Sequence, residues 1–260
     1  PALLEPGRLM ESNSRVFAAL TEEYGGEPNR YTIVRDNPDL LRQAITTAVQ
    51  ENDMVIVNAG SSAGSKDYTV HIIEELGEVI HHGIAIKPGK PTILGVVQGK
   101  PVIGIPGYPV SAYLVFDLFM RPLIYRVTGQ GKQNEEYVEA TLTKRLVSSF
   151  KNAELLRVAV GYVNDRLVTT PLERGAAAVM SMVKADGIVK VDRLCEGLEA
   201  GAKVEVRLLR PLGEIKKTLV ITGSHDMMID VLADQMPVSS AHGGSLSGIM
   251  ALRRKESHMA

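Results

Sequence analysis

At 260 residues and 28.2 kDa, the chain is long enough for more than one hydrophobic core, so two domains are the starting expectation. A near-balance of 29 Lys and Arg against 30 Asp and Glu leaves a net charge of −1, which excludes a general pull toward nucleic acid or an anionic membrane and confines anion binding to local features. The single cysteine, Cys195, excludes an internal disulfide and fits a reducing, cytoplasmic setting, no apolar run approaches a membrane span, and the six histidines lack metal-ligand spacing.

Glu5-Pro6-Gly7 reads as a turn. Ser12 or Ser14 can cap a first helix carrying Val16, Leu20 and Tyr24, and Gly25-Gly26 stops it. Arg30 to Val34 is strand-like. Asn37-Pro38 supplies a cap and a first-turn proline for a helix whose Leu41, Ala44, Ile45 and Ala48 share one face. Met54-Val55-Ile56-Val57 is a continuous apolar run, as in a strand covered on both faces. A turn of small residues from Asn58 to Asp67 follows, and then helix-compatible residues to Leu76. This alternation predicts an α/β domain with a parallel sheet and right-handed crossovers.

Beyond Leu76, Glu78 to Ile86 alternates as a strand, and Thr92 to Val97 with Val102 to Ile105 forms a hairpin around Gln98-Gly99-Lys100. Pro106-Gly107-Tyr108-Pro109-Val110-Ser111 opens a helix to about Val127, with Leu114, Leu118 and Phe119 toward the sheet. From Asn134 short strands dominate: Tyr137 to Thr143, Glu154 to Tyr162, Arg166 to Thr170, Gly187 to Val191 and Lys203 to Leu209. They predict a small barrel or sandwich. Leu209 to Gly213 reads as a linker, followed by one strand, a loop, a helix from Met227 to Gln235 and one more helix-like segment, too little for a core of its own.

Three features could carry chemistry. The Gly/Ser turn after Val57 lets backbone N–H groups approach a ligand at the carboxyl edge of a sheet, where ligands of open α/β folds sit. In Ile86-Lys87-Pro88-Gly89-Lys90-Pro91, proline and glycine fix the backbone, so both ammonium groups are presented with little ordering cost. The Pro106–Ser111 turn places Ser111 near a helix N-terminus. Each taken singly also reads as a plain connection with solvated lysines; together they point to an anionic, phosphate-bearing ligand.

Taken as a set, NAGSSAGSKDYT from Asn58, AIKPGKPT from Ala85 and GIPGYPVSAYLVFDLFMRP from Gly104 resemble the molybdopterin molybdotransferase family, MoeA in bacteria, with the gephyrin E domain as its animal relative. Ser12-Asn13-Ser14 and VRDNPDLLRQAI match as well, and the likeness runs through Leu209. The resemblance implies an α/β fold: a three-layer parallel-sheet molybdopterin-binding domain over residues 1–131 without its first strand, a small β-barrel-like domain over 132–213, and an incomplete α/β segment over 214–260. That last segment resembles the opening of a periplasmic-binding-protein-like domain. Enzymes of this family release adenylate from adenylylated molybdopterin in a magnesium-dependent step, insert molybdate at the dithiolene, and work as homodimers. Where many members have Gly-Gly and Asn, this chain has Ala59-Gly60 and Tyr108. Two preceding domains and a Thr-Gly-Asp-Glu strand of the family are not in this sequence, so the expectation is a fragment that binds ligand but does not complete metal insertion.

Residue by residue, the resemblance makes Gly60, Ser61, Ser62 and Gly64 the cradle for a terminal phosphate or pyrophosphate, with Pro106, Gly107, Pro109 and Ser111 as further pterin-ligand contacts. It makes Asp67 an acidic group that holds Mg2+ or orients phosphate. Lys87 and Lys90 correspond to lysines near the molybdate, with Ser111, Arg157 and Ser181 as additional oxyanion contacts. Two other readings stand beside this one: an adenylyltransferase that activates molybdopterin, and a non-enzymatic scaffold module of the gephyrin kind.

Overall fold

In a computed structural model, residues 10–58, 68–131, 135–176 and 178–260 are described, and the chain divides into units of residues 1–133 and 134–260. The first unit contains α1 (Asn13–Glu23), α2 (Pro38–Glu51), β1 (Val55–Asn58), α3 (Tyr68–Leu76), β2 (Gly77–His82), β3 (Ile86–Lys87), β4 (Ile93–Val97), β5 (Lys100–Ile105) and α4 (Pro109–Val115). A π-helical segment (Phe116–Met120) and α5 (Arg121–Val127) continue α4. Its main sheet runs β1-β5-β4-β2. Only β1 and β5 are parallel, and the β4–β5 hairpin and the β2–β4 pair are antiparallel, so the expected parallel sheet is a mixed one. Positive φ at both Gln98 (52°) and Gly99 (77°) gives the tight turn that joins β4 to β5.

Alternation along the strands feeds two cores, one on each face. Ile93, Val97 and Val102 pack with Ile45, Val49 and Ile73 of α2 and α3. Ile103 and Ile105 pack with Phe17, Tyr24, Val115, Phe116 and Ile124 of the other helical layer, where Phe17 and Phe116 stack at 5.1 Å. The α/β class and the three layers therefore follow from the apolar pattern.

Local expectations differ at three places. Arg30 to Val34 joins no ladder, and Ile33 is 80% exposed; β-propensity without a neighbouring strand does not make a strand. Neither Ser12 nor Ser14 caps α1 through its side chain. Glu11 does so instead, its Oε1 accepting from the Ser14 N–H at 2.8 Å, and Val16 faces solvent while Phe17 is buried. The helix after Pro109 carries a π turn, which shifts the buried face to Val115, Phe116 and Met120 and leaves Leu118 39% exposed. Pro122, which has no N–H to give, follows that turn directly. By contrast, Asn37 caps α2 as expected, accepting from the Asp39 and Leu40 N–H groups.

The second unit opens with β6 (Tyr137–Leu142), β7 (Leu146–Val147), β8 (Ala153–Val163), β9 (Arg166–Pro171), α6 (Val179–Val183), β10 (Gly187–Val191), β11 (Gly197–Leu198) and β12 (Lys203–Leu208). Strands β10, β12, β6, β9 and β8 neighbour one another in that order, and β8 pairs back onto β10, closing a small barrel around Ala140, Val158, Val189 and Val206. After it come α7 (Leu212–Ile215), β13 (Leu219–Gly223), α8 (Met227–Ala233), β14 (Val238–His242) and α9 (Ser245–Arg253), with β13 and β14 parallel. This segment packs on the barrel. Gly161 of β8 lies so close to Val220 that an added methyl would stand 2.5 Å from its Cγ2. The stretch read as a linker is anchored: Arg210 pairs with the buried Asp186 at 2.7 Å, and the other Asp186 oxygen accepts from the Val160 N–H at 2.9 Å.

Candidate functional site

Parallel pairing of β1 with β5 brings their carboxyl ends together, Asn58 opposite Ile105. Two of the three sequence features leave the sheet here, one just after Asn58 and one at Pro106. Gly60, Ser61, Ser62, Gly64 and Asp67 lie outside the described residues. At the second exit Pro106 is buried, Gly107 is exposed, and the Tyr108 ring is 64% exposed. Ser111, on the first turn of α4, is 4% exposed.

A polar network that sequence reasoning did not assign closes this edge. Asn13 Nδ2 donates to Asn58 Oδ1 at 3.1 Å and to the Gly107 carbonyl at 2.8 Å. Asn58 Nδ2 donates to Glu11 Oε1 at 3.2 Å, Ser14 Oγ donates to Glu11 Oε2 at 2.6 Å, and Arg30 donates to Ser14 Oγ. The signal in the sequence is an asparagine ending an apolar strand and a Glu-Ser-Asn-Ser cluster before a helix, which capping and family resemblance account for separately without linking them.

The two-lysine turn is braced from below. The buried Thr92 donates through its hydroxyl and through its N–H to the Gly89 carbonyl, at 2.6 and 3.1 Å. Ile84 N–H reaches the Lys90 carbonyl at 2.8 Å. Gly89 has φ +120° and presses on α4, where an added methyl would stand 2.7 Å from Val115 Cγ2. Val115 lies one helical turn beyond Ser111 on the same face of α4, so this contact sets the lysine turn beside the head of that helix. Lys87 and Lys90 are both exposed. A separate hollow of about 350 Å³, lined by residues such as Leu94, Ile103, Leu118 and Phe119, is apolar and offers no charged side chain to an anion.

In the second unit Arg157 and Ser181, assigned together on the sequence, do meet. Arg157 Nε donates to Ser181 Oγ at 2.9 Å and its Nη2 donates to the Glu173 carbonyl at 2.6 Å. Both side chains are buried, Arg157 at 3% and Ser181 at 6% exposure. Burial pushes the Arg157 guanidinium below its ordinary value, and the neighbouring Arg174 charge adds to that. A cation held by neutral partners in a desolvated place is a ready receptor for an anion.

Comparison with known proteins bears on these elements. Residues 2–126 match the family model described as a probable molybdopterin binding domain, and residues 139–209 match that of the MoeA C-terminal region, domain IV. The chain belongs to the MoeA family. It is 37% identical to the MoeA molybdopterin biosynthesis protein of Pyrococcus horikosii, whose crystal structure it matches with a TM-score of 0.68 over 81% of this chain and 51% of that one. A protein of Methanocaldococcus jannaschii, provisionally named for molybdopterin biosynthesis, is 34% identical over 204 residues, 78% of this chain and 48% of the relative. The molybdopterin molybdenumtransferase of Bacillus subtilis is 28% identical over 209 residues, 80% of this chain and 49% of the relative. The chain thus spans about half the length of the curated relatives it matches. Among the described residues no helix is long and apolar enough to cross a membrane.

Proposed function

We propose that this MoeA-family chain acts in molybdenum cofactor biosynthesis, where it binds adenylylated molybdopterin at the carboxyl edge of β1 and β5 and receives molybdate at the Lys87–Lys90 turn. The observation that carries the reading is the bracing of Gly89 by Thr92 and Val115, which fixes the backbone that carries two exposed lysines beside the head of α4. A tetrahedral dianion is well served by two ammonium groups carried on one braced turn, where the backbone needs no further ordering. Ser111, which is 4% exposed, is proposed as a hydroxyl donor to the same anion. Arg157 and Ser181 are proposed as a second pair of oxyanion contacts.

On this reading the protein supplies position and charge, while the dithiolene sulfurs of the substrate supply the nucleophilic chemistry on molybdenum. Gly60, Ser61, Ser62 and Gly64 are proposed to cradle the phosphate, with Pro106, Gly107 and Pro109 shaping the far wall. Magnesium usually takes only one or two carboxylates beside substrate phosphates and water, so no prebuilt cage is demanded. Among the described residues no group of three or more His, Cys, Asp or Glu is placed to hold a metal, and both Glu11 oxygens are engaged by Ser14 and Asn58. Asp67 remains the carboxylate proposed to meet the ion, which when bound offsets phosphate charge. Release of AMP, a cytoplasmic location, a homodimer and a periplasmic-binding-protein-like C-terminal segment are parts of the same proposal.

The test is titration of the chain with adenylylated molybdopterin, followed by activation of a cofactor-free molybdoenzyme in the presence of magnesium and molybdate. Binding is expected, and its absence overturns the reading.

A further inference from the structure

We propose that Asn13 is a positioning residue for the binding edge, its carboxamide setting the spacing between the end of β1 and the 106–109 turn. The identity of the ligand rests on the function proposed above, whereas the tie itself rests on geometry. Asn13 Nδ2 gives one proton to Asn58 Oδ1 at 3.1 Å and the other to the Gly107 carbonyl at 2.8 Å. Since Asn58 sits opposite Ile105 in the ladder, one nitrogen on α1 joins the two chain segments as they leave the sheet side by side.

The network runs in one direction. Both Glu11 oxygens accept, Oε1 from the Ser14 N–H and from Asn58 Nδ2 at 3.2 Å, and Oε2 from Ser14 Oγ. That orients Asn58 with its oxygen toward residue 13, so the side chain there must donate, and its second proton is left for Gly107. A carboxylate at position 13 has no proton for either acceptor. Turning Asn58 over to donate to it would set the Asn58 oxygen against Glu11. Asn13 is 7% exposed, so water does not readily replace the lost bonds.

Helix capping and positioning fall to different residues here. Capping of α1 falls to Glu11 through the Ser14 N–H, and the first turn of α1 holds no acidic residue. An aspartate at position 13 therefore loses the tie and buries an unpaired carboxylate, a cost that its favourable interaction with the helix dipole does not offset. A residue with a purely structural role would lose stability and leave the geometry of the edge alone.

The experiment uses the full chain as wild type, Asn13→Asp and Asn13→Ala, with Arg15→Ala on the exposed side of α1 as control. Amide exchange is followed by mass spectrometry without ligand, and the affinity for adenylylated molybdopterin is measured separately. For both Asn13 variants, faster exchange is expected across residues 55–58 and 104–112 alone, together with affinity about tenfold weaker or more, since small misplacements of binding groups are costly. Both Asn13 variants are expected to melt below the wild type, Asn13→Asp because it also buries an unpaired carboxylate, and Arg15→Ala to match the wild type throughout. Wild-type exchange at both segments in Asn13→Asp, or loss of protection throughout residues 10–131, overturns the proposal, as does unchanged affinity. If the wild type itself fails to bind this ligand, the proposed function fails, and the exchange pattern alone decides whether Asn13 positions the edge.

Discussion

Gly89 stands so close to Val115 that a single added methyl would approach its Cγ2 to 2.7 Å, at a backbone φ of +120°. The two-lysine turn is therefore seated on α4 at a point where only glycine fits. Gly89→Ala is expected to destabilise the chain by about 1–3 kcal/mol through overpacking, with a further penalty from the backbone conformation. Gly99→Ala is the comparison, because its φ is also positive, at 77°, but nothing lies within 4 Å of the added methyl. Denaturant melts should show the larger loss for Gly89→Ala, and molybdate affinity should fall in that variant alone.

Two lysines separate binding from stability. Lys100 looks on the sequence like a solvated hairpin residue, yet its Nζ donates to the Val49 carbonyl at 2.7 Å, near the carboxyl end of α2. Lys100→Ala is expected to destabilise by about 1 kcal/mol and to leave oxyanion binding intact. Lys90→Ala should do the reverse. Calorimetry with molybdate beside thermal melts checks both, and equal losses of affinity would count against a specific site.

Arg157 is best probed through its partner. Arg157→Ala would leave the Glu173 carbonyl and the Ser181 hydroxyl without a buried donor, so a stability loss would obscure any effect on binding. Ser181→Ala removes one acceptor and keeps the cation. A stability change of about 1 kcal/mol is expected, with weaker molybdate binding if the pair contacts the anion. Unchanged affinity would return Ser181 to a structural role.

Asp186 gives a pH signature. Burial raises its carboxyl above the usual range, opposed by the Val160 N–H and the Arg210 charge. A carboxyl whose folded pKa lies above its unfolded value stabilises the fold most below the unfolded pKa, and that contribution fades as pH rises through the folded value. The stability of the wild type relative to Asp186→Asn should accordingly fall as pH rises from the ordinary aspartate range upward. Urea unfolding of both proteins at several pH values measures this difference, and a flat or rising one would show that the Arg210 pair outweighs burial.

Much of the fold was legible because apolar periodicity reports burial directly. Val55 to Val57, the β4–β5 hairpin, the Asn37 cap and the barrel strands all appear where the sequence implied. Arg30 to Val34 misled because strand propensity says nothing about whether a neighbour exists. Leu118 lines a hollow with Leu94 and Ile103 of the sheet yet stays 39% exposed, because a π turn changes the phase of a helix without leaving a mark in the 3.6-residue pattern. For the candidate site, local backbone chemistry and resemblance pointed to the two lysines and to Arg157 and Ser181, and the last two meet through a hydrogen bond. The Asn13–Asn58–Glu11 network was not, because its members stand 45 and 47 residues apart and each has a plausible local use.

The central claim is that the Lys87–Lys90 turn is an oxyanion receptor, and anomalous diffraction at the molybdenum edge from crystals soaked in molybdate tests it most directly. A peak within ion-pair distance of both ammonium groups, lost in Lys90→Ala, is the predicted result. No peak at that turn in the wild type, or one that persists in Lys90→Ala, would contradict it.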